Sequence, residues 1–260
     1  MRYMATRKIS AGDITAEIDV TNGGRIASLY VATTSLLVTH ADSLLDWGLY
    51  PMAPYAGRVR NASLDFNNQK FPLRANAAPH SIHGTVFDHP WNVDAHDATS
   101  ILLSTDTGSD WPFAATVTHR IEVSDNKMRC ELAITAHETM PAQLGWHPWF
   151  ARPRHVDTSF NSMLRRDSDG ITTLDRMDPL PPPVDDCFFE PNAWPSLYIG
   201  NYAVEIASDC PYWVRYDAPD GDVCIEPQSG PPNGINSKPL ILQAGQQFSR
   251  WMELRITHQL

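Results

Sequence analysis

The sequence predicts an all-β protein, a large antiparallel β-sandwich with little helix. Three observations support this prediction: apolar residues recur at every second position, turn-forming residues separate these runs, and no long 3.6-residue pattern occurs. Side chains along a strand point to opposite faces in alternation, so this spacing indicates strands with one buried face. Many short strands with frequent turns are typical of a sandwich or a barrel.

The alternating runs extend from the N-terminal part of the chain to its end. The clearest runs are residues 14–20, 117–123, 128–134, 204–206, 213–215, 223–225 and 252–256. Turn formers separate them, at Asn22-Gly23-Gly24, Ser124-Asp125-Asn126, Ala218-Pro219-Asp220-Gly221 and Ala244-Gly245. The proline-rich stretch 179–183 predicts a loop. Because strand-like segments lie on both sides of it, we expect one domain over residues 1–260.

Composition and charge exclude several classes of function. Of the 260 residues, 42% are apolar, which is enough for a large packed core and excludes disorder. The formal net charge of −10 repels polyanions, so no nucleic-acid partner is expected. No segment has the pattern of a secretion signal or the length of a membrane span, which predicts a cytoplasmic protein without a membrane partner.

The cysteines predict neither disulfides nor a redox pair. They lack C-x-x-C spacing, and a chain of this size does not need cross-links, so free thiols are expected at Cys130, Cys187, Cys210 and Cys224. A metal site is not expected either. Of the ten histidines, His80 and His83 come nearest to a metal-like spacing, and they have no further ligands nearby in sequence.

A histidine surrounded by aromatic residues is the first candidate for chemistry. His147 lies in Gly145-Trp146-His147-Pro148-Trp149-Phe150. The following proline favours an extended backbone at His147, which sets the direction of the imidazole. The unperturbed pKa of histidine, about 6.5, suits proton transfer near neutral pH. Taken alone, the motif fits a buried, hydrogen-bonded core histidine equally well.

The second candidate is Glu226, which is predicted to end an apolar strand directly before Pro227. A buried carboxylate is costly, so it needs a partner or a function. Burial would also raise its pKa toward the range of a useful base. Taken alone, an exposed glutamate at the start of a loop explains this segment somewhat better.

The third candidate group lies upstream. Arg58 offers a fixed fork of donors that suits sugar hydroxyls and a ring oxygen. His83 precedes Gly84, where the backbone can turn sharply. Each of these two signals is weak alone, because an arginine beside a glycine is common in surface turns.

In this order, the motifs resemble the aldose 1-epimerase (galactose mutarotase-like) family. The matching segments are Gly57-Arg58-Val59, residues 64–73, Ser81-Ile82-His83-Gly84, His147-Pro148-Trp149-Phe150, Glu226-Pro227-Gln228 and residues 239–248. The resemblance implies a large antiparallel β-sandwich and interconversion of the α and β anomers of free hexoses without a cofactor. The implied partner is a small-molecule sugar.

The resemblance also implies roles for the candidate residues. Glu226 would be the base that removes the proton from the C1 hydroxyl, and His147 would be the acid that protonates the ring oxygen. Arg58 and His83 would hold the ring oxygen and neighbouring hydroxyls. We expect His147 and Glu226 to face each other across one open cleft, with Arg58 and His83 on its floor.

Asp185 resembles the substrate-binding aspartate of the family's Asp-x-x-Phe motif, and Asp186 is an alternative one residue away. Four departures from the family pattern concern the sugar more than the reaction. Gly57 replaces the usual Asn, Trp149 replaces the commoner Tyr, Ala62 stands where Gly is frequent, and Gln243-Ala244-Gly245 lacks the usual Pro. Some relatives prefer hexose 6-phosphates. Because Arg58 and Arg60 could bind a phosphate group, a phosphorylated sugar remains an alternative.

Two functions of other classes remain open at this point. A non-catalytic carbohydrate-binding or regulatory module could use the same fold, although such a module needs no matched acid and base. A glycoside hydrolase needs two carboxylates that flank the bond, and Asp185 is the sole candidate partner of Glu226. Oligomeric state and sugar identity are not predicted.

Overall fold

The alternating apolar runs form strands in the computed structural model, which describes residues 6–259. The N-terminal strands are β1 (Thr6–Ala11), β2 (Ile14–Asp19), β3 (Arg25–Val31), β4 (Thr34–Ser35), β5 (Leu49–Met52), β6 (Arg58–Val59), β7 (Ser63–Phe66), β8 (Gln69–Pro72) and β9 (Ser81–Ile82). The middle strands are β10 (Asn92–His96), β11 (Ser100–Asp106), β12 (Ala115–Ser124), β13 (Lys127–Ala136), β14 (Met140–Ala142), β15 (Gly145–Phe150), β16 (His155–Arg166) and β17 (Thr172–Met177).

The C-terminal strands are β18 (Asp185–Ile199), β19 (Tyr202–Ser208), β20 (Tyr212–Asp217), β21 (Val223–Gln228), β22 (Leu240–Leu242) and β23 (Gln247–His258). The helices in the described range are short: a 3₁₀ turn at Arg60–Ala62 and α1 at Gly234–Ser237. The prediction of an all-β antiparallel fold with little helix is therefore confirmed. That residues 1–260 form one domain stays a prediction, since residues 1–5 and 260 lie outside the described range.

Seventeen strands join in one antiparallel sheet system. One half follows the order β10–β11–β12–β13–β23–β19, and the other follows β20–β21–β15–β5–β3–β2–β1. Strand β18 joins the halves, because its first residues pair with β20 and its last residues pair with β19. The two halves also approach each other at β12, which packs against β1 and β2.

The main hydrophobic core lies between the two halves. Alternate residues of β2, β12, β13 and β23 have their side chains in it, as the period-two runs predict. Proline loops and turns also fall where expected, and residues 179–183 form a loop. One strand boundary was predicted wrongly: β21 continues two residues past Glu226, because Pro227 and Gln228 still pair with β20.

The strands that carry the predicted site are buried on both faces. All six residues of β15 and all six of β21 are buried. Trp146, Phe150 and Ile225 point into the main core, whereas Trp149 and Cys224 belong to a second, smaller cluster on the opposite face. These strands therefore separate the core from a second layer, and the candidate site lies in that layer.

The cysteines are unpaired and buried, as expected for free thiols. Over residues 6–259, no helix combines the length and the apolar character needed to cross a bilayer.

Candidate active site

One row of side chains crosses five adjacent strands, in the order β5, β15, β21, β20 and β18. Tyr50 pairs with His147, and the register between β15 and β21 puts His147 opposite Glu226. Val214 continues the row beside Glu226, and Cys187 lies beside Val214. Directly paired residues of an antiparallel sheet point to the same face. Strand register alone therefore brings an imidazole beside a carboxyl group.

Apart from the fully buried Tyr50, the residues of this row line a pocket with a volume of about 290 Å³. The pocket lining includes every residue that the sequence singled out for the site, namely Arg58, His83, His147, Asp185, Asp186 and Glu226. These residues fall into two groups. We call His83, His147 and Glu226 the inner cluster, because all three are buried and their polar atoms lie within 4.8 Å of one another. We call Arg58, Arg166, Asp185 and Asp186 the ion-pair cluster.

The inner cluster is tightly packed. His147 Nε2 and Glu226 Oε1 are 3.2 Å apart, and the rings of His83 and His147 meet edge to face with centroids 4.7 Å apart. The expectation that His147 and Glu226 face each other across a cleft is wrong. They lie side by side on adjacent strands, because the register pairs them within one sheet.

Burial governs the protonation of the inner cluster. It lowers the pKa of His147 from 6.5 to about 3 and holds the pKa of His83 well below its usual range. It raises the pKa of Glu226 well above 4.5, and the nearby Asp185 carboxylate adds to this rise. Burial disfavours the charged form of each group. For His83, His147 and Glu226 alike, the neutral side chain is thus favoured over a charged side chain without a partner.

Two aromatic rings hold the imidazole of His147. Tyr50 stacks on it with ring centroids 4.8 Å apart, and Trp149 lies near it at 5.5 Å. The Tyr50 hydroxyl and the Trp149 Nε1–H both donate to the carbonyl oxygen of Leu45, at 3.1 and 2.7 Å. The two rings and one backbone carbonyl therefore fix the orientation of His147.

A buried arginine, Arg25, packs against Tyr50 and so supports the rings that orient His147. Arg25 is fully buried, and its guanidinium lies 5.2 Å from the centroid of the Tyr50 ring. Its N–H groups donate to the carbonyl oxygens of Asn22, Leu44, Trp47 and Phe87. A buried cation needs such hydrogen bonds. Arg25 thereby ties the segment that includes Leu44 to the strands under the site.

His83 reaches the pocket from a strained turn. Its φ is +62°, in the left-handed region that non-glycine residues seldom adopt. Gly84 follows with φ of +79°, and a Cβ there would lie 2.0 Å from the carbonyl oxygen of Ala53. The sharp turn that His83-Gly84 predicts is therefore present, and only glycine fits the second position. Such strained residues cluster at functional sites.

The ion-pair cluster lies at the exposed end of the pocket. Arg58 Nη1 and Arg166 Nη1 lie 3.5 and 3.3 Å from the same oxygen, Oδ2 of Asp185. Arg166 Nε also bonds Asp186 Oδ1 at 2.8 Å. The side chains of Arg58 and Asp185 are 37% and 32% exposed, whereas that of Asp186 is 8% exposed. Arg58 therefore lies at the rim of the pocket rather than on its floor.

Arg60 is directed away from the pocket lining. It forms ion pairs with Asp167 and Asp169 in the turn between β16 and β17. Gly170 of the same turn and Thr172 at the start of β17 line the pocket. Arg60 thus holds a turn in place, and it does not contribute a free charge to the site.

The comparisons with known proteins concern the family and the fold. The family profile described as aldose 1-epimerase matches residues 9–193. The chain belongs to the aldose 1-epimerase family.

Solved structures of this family share the fold. An aldose 1-epimerase candidate from Escherichia coli K12 is 19% identical, with a TM-score of 0.86 over 98% of this chain and 99% of that one. An aldose epimerase homologue from C. elegans is 14% identical, with a TM-score of 0.87 over 98% and 99%. A galactose mutarotase-like protein from Clostridium acetobutylicum is 18% identical, with a TM-score of 0.81 over 96% and 94%. A search of the curated proteins gives no significant match.

The structure explains one departure from the aldose 1-epimerase pattern. Gly57, which replaces the usual Asn, has φ of +69°. Glycine and asparagine are the residues that most readily adopt left-handed backbone. The exchange therefore keeps the backbone turn that leads into Arg58.

Sequence reasoning missed Arg166, Tyr50 and Arg25. Arg166 follows Arg165 at the end of an unremarkable strand, and no local motif distinguishes it. Arg25 follows the turn formers Gly23 and Gly24 directly. An arginine at the start of an otherwise apolar strand could have predicted a buried cation with hydrogen-bond partners.

Proposed function

We propose that the protein is an aldose 1-epimerase that interconverts the α and β anomers of a hexose or a related monosaccharide. The observation that carries this proposal is the 3.2 Å contact between His147 Nε2 and Glu226 Oε1 inside a pocket of about 290 Å³. That volume lies near the lower limit for small-molecule sites, roughly 300–1,000 Å³. It favours a single sugar ring over an oligosaccharide.

The contact suits the geometry of an anomeric carbon. C1 of a cyclic aldose carries both the hydroxyl oxygen and the ring oxygen, so these two oxygens are close neighbours. An acid and a base that lie side by side can contact both at once. A catalytic group must come within about 3 Å of the proton that it moves. The side-by-side arrangement therefore serves the reaction better than groups on opposite walls.

Ring opening needs two proton transfers. Glu226 takes the proton of the C1 hydroxyl while His147 gives its proton to the ring oxygen, and the C1–O5 bond breaks. The products are an aldehyde and a C5 hydroxyl. Each positioned proton transfer contributes roughly a hundred- to ten-thousand-fold to the rate.

Ring closure reverses these steps on the other face of the carbonyl. After rotation about the C1–C2 bond, His147 takes back the proton of the C5 hydroxyl as its oxygen attacks C1. Glu226 then returns its proton to the carbonyl oxygen, which becomes the new C1 hydroxyl. The protein ends as it began, and no other reactant is consumed.

The buried environment fits a pair that shares one proton. Before opening, the proton is on His147 and Glu226 is ionised; after opening, it is on Glu226 and His147 is neutral. The pair has no net charge in either state. Burial lowers the pKa of His147 and raises that of Glu226, so the form with the proton on His147 is the less populated one, and movement of the proton to Glu226 during ring opening is favoured.

The ion-pair cluster is suited to sugar recognition. Because Arg58 and Arg166 both bind Oδ2 of Asp185, the carboxylate is held in one orientation at the rim of the pocket. We assign Asp185 rather than Asp186 to the sugar, since Asp186 is nearly buried and bonds Arg166. Arg58 and His83 then supply donors for the ring oxygen and neighbouring hydroxyls, as the family resemblance implies.

The charges favour a neutral sugar over a sugar phosphate. Arg58 and Arg166, the two arginines of the pocket lining, are already paired with carboxylates, and Arg60 is paired outside it. A phosphate group would have to displace one of these carboxylates. A glycoside hydrolase is also disfavoured, because the group in contact with Glu226 is an imidazole and not a second carboxyl.

Polarimetry with a panel of pure anomers tests the proposal. The panel contains α-anomers of free hexoses and pentoses and of hexose 6-phosphates, and the binding of each sugar is measured separately by calorimetry. We expect at least one free sugar to reach its equilibrium rotation much faster with protein than without. Turnover of the 6-phosphates alone would contradict the neutral-sugar assignment. If the protein binds a sugar but turns over none of the panel, it is a carbohydrate-binding module and not an enzyme.

A further inference from the structure

The inner cluster also has the composition of a metal site. His83, His147 and Glu226 come from three separate segments, and their potential ligand atoms all lie within 4.8 Å of one another. We infer that these three residues bind one Zn²⁺ ion, and that the bound ion inhibits the protein because it takes the place of the shared proton. Binding of the ion does not depend on the proposed function, whereas inhibition rests on it.

The donor set and its spacing fit Zn²⁺. Two imidazoles and one glutamate, with a fourth position left open, are a known ligand set of this ion. Zinc–ligand bonds of about 2.0–2.1 Å put tetrahedral ligand atoms roughly 3.3 Å apart. His147 Nε2 and Glu226 Oε1 are already 3.2 Å apart. His83 needs to approach them by at most about 1.5 Å, a shift that rotation of its side chain can supply.

The possible ligand atoms are gathered inside the protein. His83, His147 and Glu226 are all buried, and their ligand atoms lie within 4.8 Å of one another. Burial disfavours the ionised carboxylate of Glu226, but a bound dication would favour that ionised form instead.

The charge of the pocket points the same way. Four carboxyl groups and two guanidinium groups line it, namely those of Asp46, Asp185, Asp186, Glu226, Arg58 and Arg166. The chain as a whole has a formal net charge of −10. An excess of negative charge at the opening raises the local concentration of cations.

The surroundings make this a reversible site. Among residues 6–259, the buried Nδ1 atoms of His83 and His147 have no hydrogen-bond partner. Outer partners of that kind typically strengthen metal binding by about 10–100-fold. Glu226 has such a partner, since its Oε2 accepts a hydrogen bond from Gln228 at 3.0 Å. The ion should therefore exchange with a chelator.

Calorimetry and cobalt spectroscopy test the site on the full chain after treatment with a chelator. We expect one Zn²⁺ per chain, and a one-to-one Co²⁺ complex with the strong visible absorption of four-coordinate cobalt. His83→Asn should weaken Zn²⁺ binding by at least about 100-fold, more than the loss of an outer partner does. Asparagine tolerates the left-handed backbone of residue 83, so the fold should be kept. His96→Asn, an exposed histidine outside the pocket, is the control and should leave the Kd unchanged.

Two results would overturn the site: no stoichiometric binding by the wild type, or equal affinity in His83→Asn. Neither needs a substrate, so a failure here is distinguishable from a failure of the proposed function. With a sugar that the wild type turns over, anomerisation should fall as zinc reaches its Kd and return with chelator. Full turnover by the zinc-saturated protein would contradict the inhibition.

Discussion

The two ends of the pocket differ in how they hold charge. In the inner cluster the groups are buried, and burial favours their neutral forms. In the ion-pair cluster every charged group has an opposite partner, and several are about one-third exposed. Exposed pairs contribute little to stability, whereas an unpaired buried charge is costly.

This difference indicates a division of labour. Proton transfer benefits from a dry environment in which small movements of a proton have large effects. Recognition of hydroxyl groups benefits from charged donors and acceptors that solvent can reach. We therefore expect substitutions in the inner cluster to lower kcat, and substitutions in the ion-pair cluster to raise KM.

The largest effect is expected from Glu226→Gln. The amide keeps the size of the carboxylate but cannot accept a proton at neutral pH. We expect kcat to fall about 1,000-fold or more, and sugar binding to survive. The measurements are polarimetric turnover and calorimetric binding of the same sugar.

Glu122→Gln is the matched control for that change, since Glu122 is a surface residue paired with Arg120. Its turnover should equal that of the wild type. Near wild-type turnover in Glu226→Gln would show that Glu226 is not the base. It would also contradict the proposed division of roles between the two clusters.

His147→Asn should give a smaller loss of kcat, about 100-fold or more, because one of the two proton transfers is lost. The loss should appear in kcat rather than in KM, since the proton is moved only in the transition state. Thermal unfolding of the variant should be recorded beside the kinetics. A rise in KM at constant kcat would instead make His147 a binding residue.

The third prediction asks whether burial alone lowers a histidine pKa, away from the pocket. His119 is buried in the main core, where its Nε2 accepts a hydrogen bond from Trp146, and burial lowers its pKa from 6.5 to about 4. Between these two values the unfolded chain binds a proton that the folded chain does not. Stability should therefore fall as the pH falls from 6.5 to 4.

The contribution of His119 to this fall is at most about 3–4 kcal/mol, at 1.36 kcal/mol for each of roughly 2.5 pKa units. Urea unfolding of the wild type and of His119→Gln at pH 7.5 and at pH 4.5 measures it. The variant should lose less stability than the wild type over this range. Equal losses in the two proteins would show that His119 does not contribute.

The smallest effect is expected from Arg166→Met, which keeps the apolar stem and removes the charge. Asp185 then loses one of its two arginines. Arg166 and Asp185 are about one-third exposed, so we expect a rise in KM of about tenfold, with kcat within about twofold of the wild type. The nearly buried Asp186 also loses its partner, so thermal unfolding of the variant is recorded beside the kinetics. Arg120→Met, which breaks a surface pair, is the control. A loss confined to kcat would contradict the proposed role of the ion-pair cluster.

Much of the fold could be predicted from the sequence because period two is a local property. In β12, Val117 and Ile121 are buried as their spacing predicts, and the turn at Ser124-Asp125-Asn126 joins β12 to β13. The family resemblance rests on short motifs of the same local kind, and it is confirmed. The end of β21 was missed because a proline inside a pattern usually marks a boundary.

The sequence by itself determined which residue types are available at the site and where the clearest strands and turns lie. Only the tertiary structure decided how they meet. Register is a non-local property, and a shift of one residue would move His147 to the opposite face, away from Glu226. The pairing of Arg166 with Asp185 and the support of Tyr50 by Arg25 also join segments that are distant in sequence. Burial sets the pKa values of the inner cluster, and burial exists only once the strands have paired and packed.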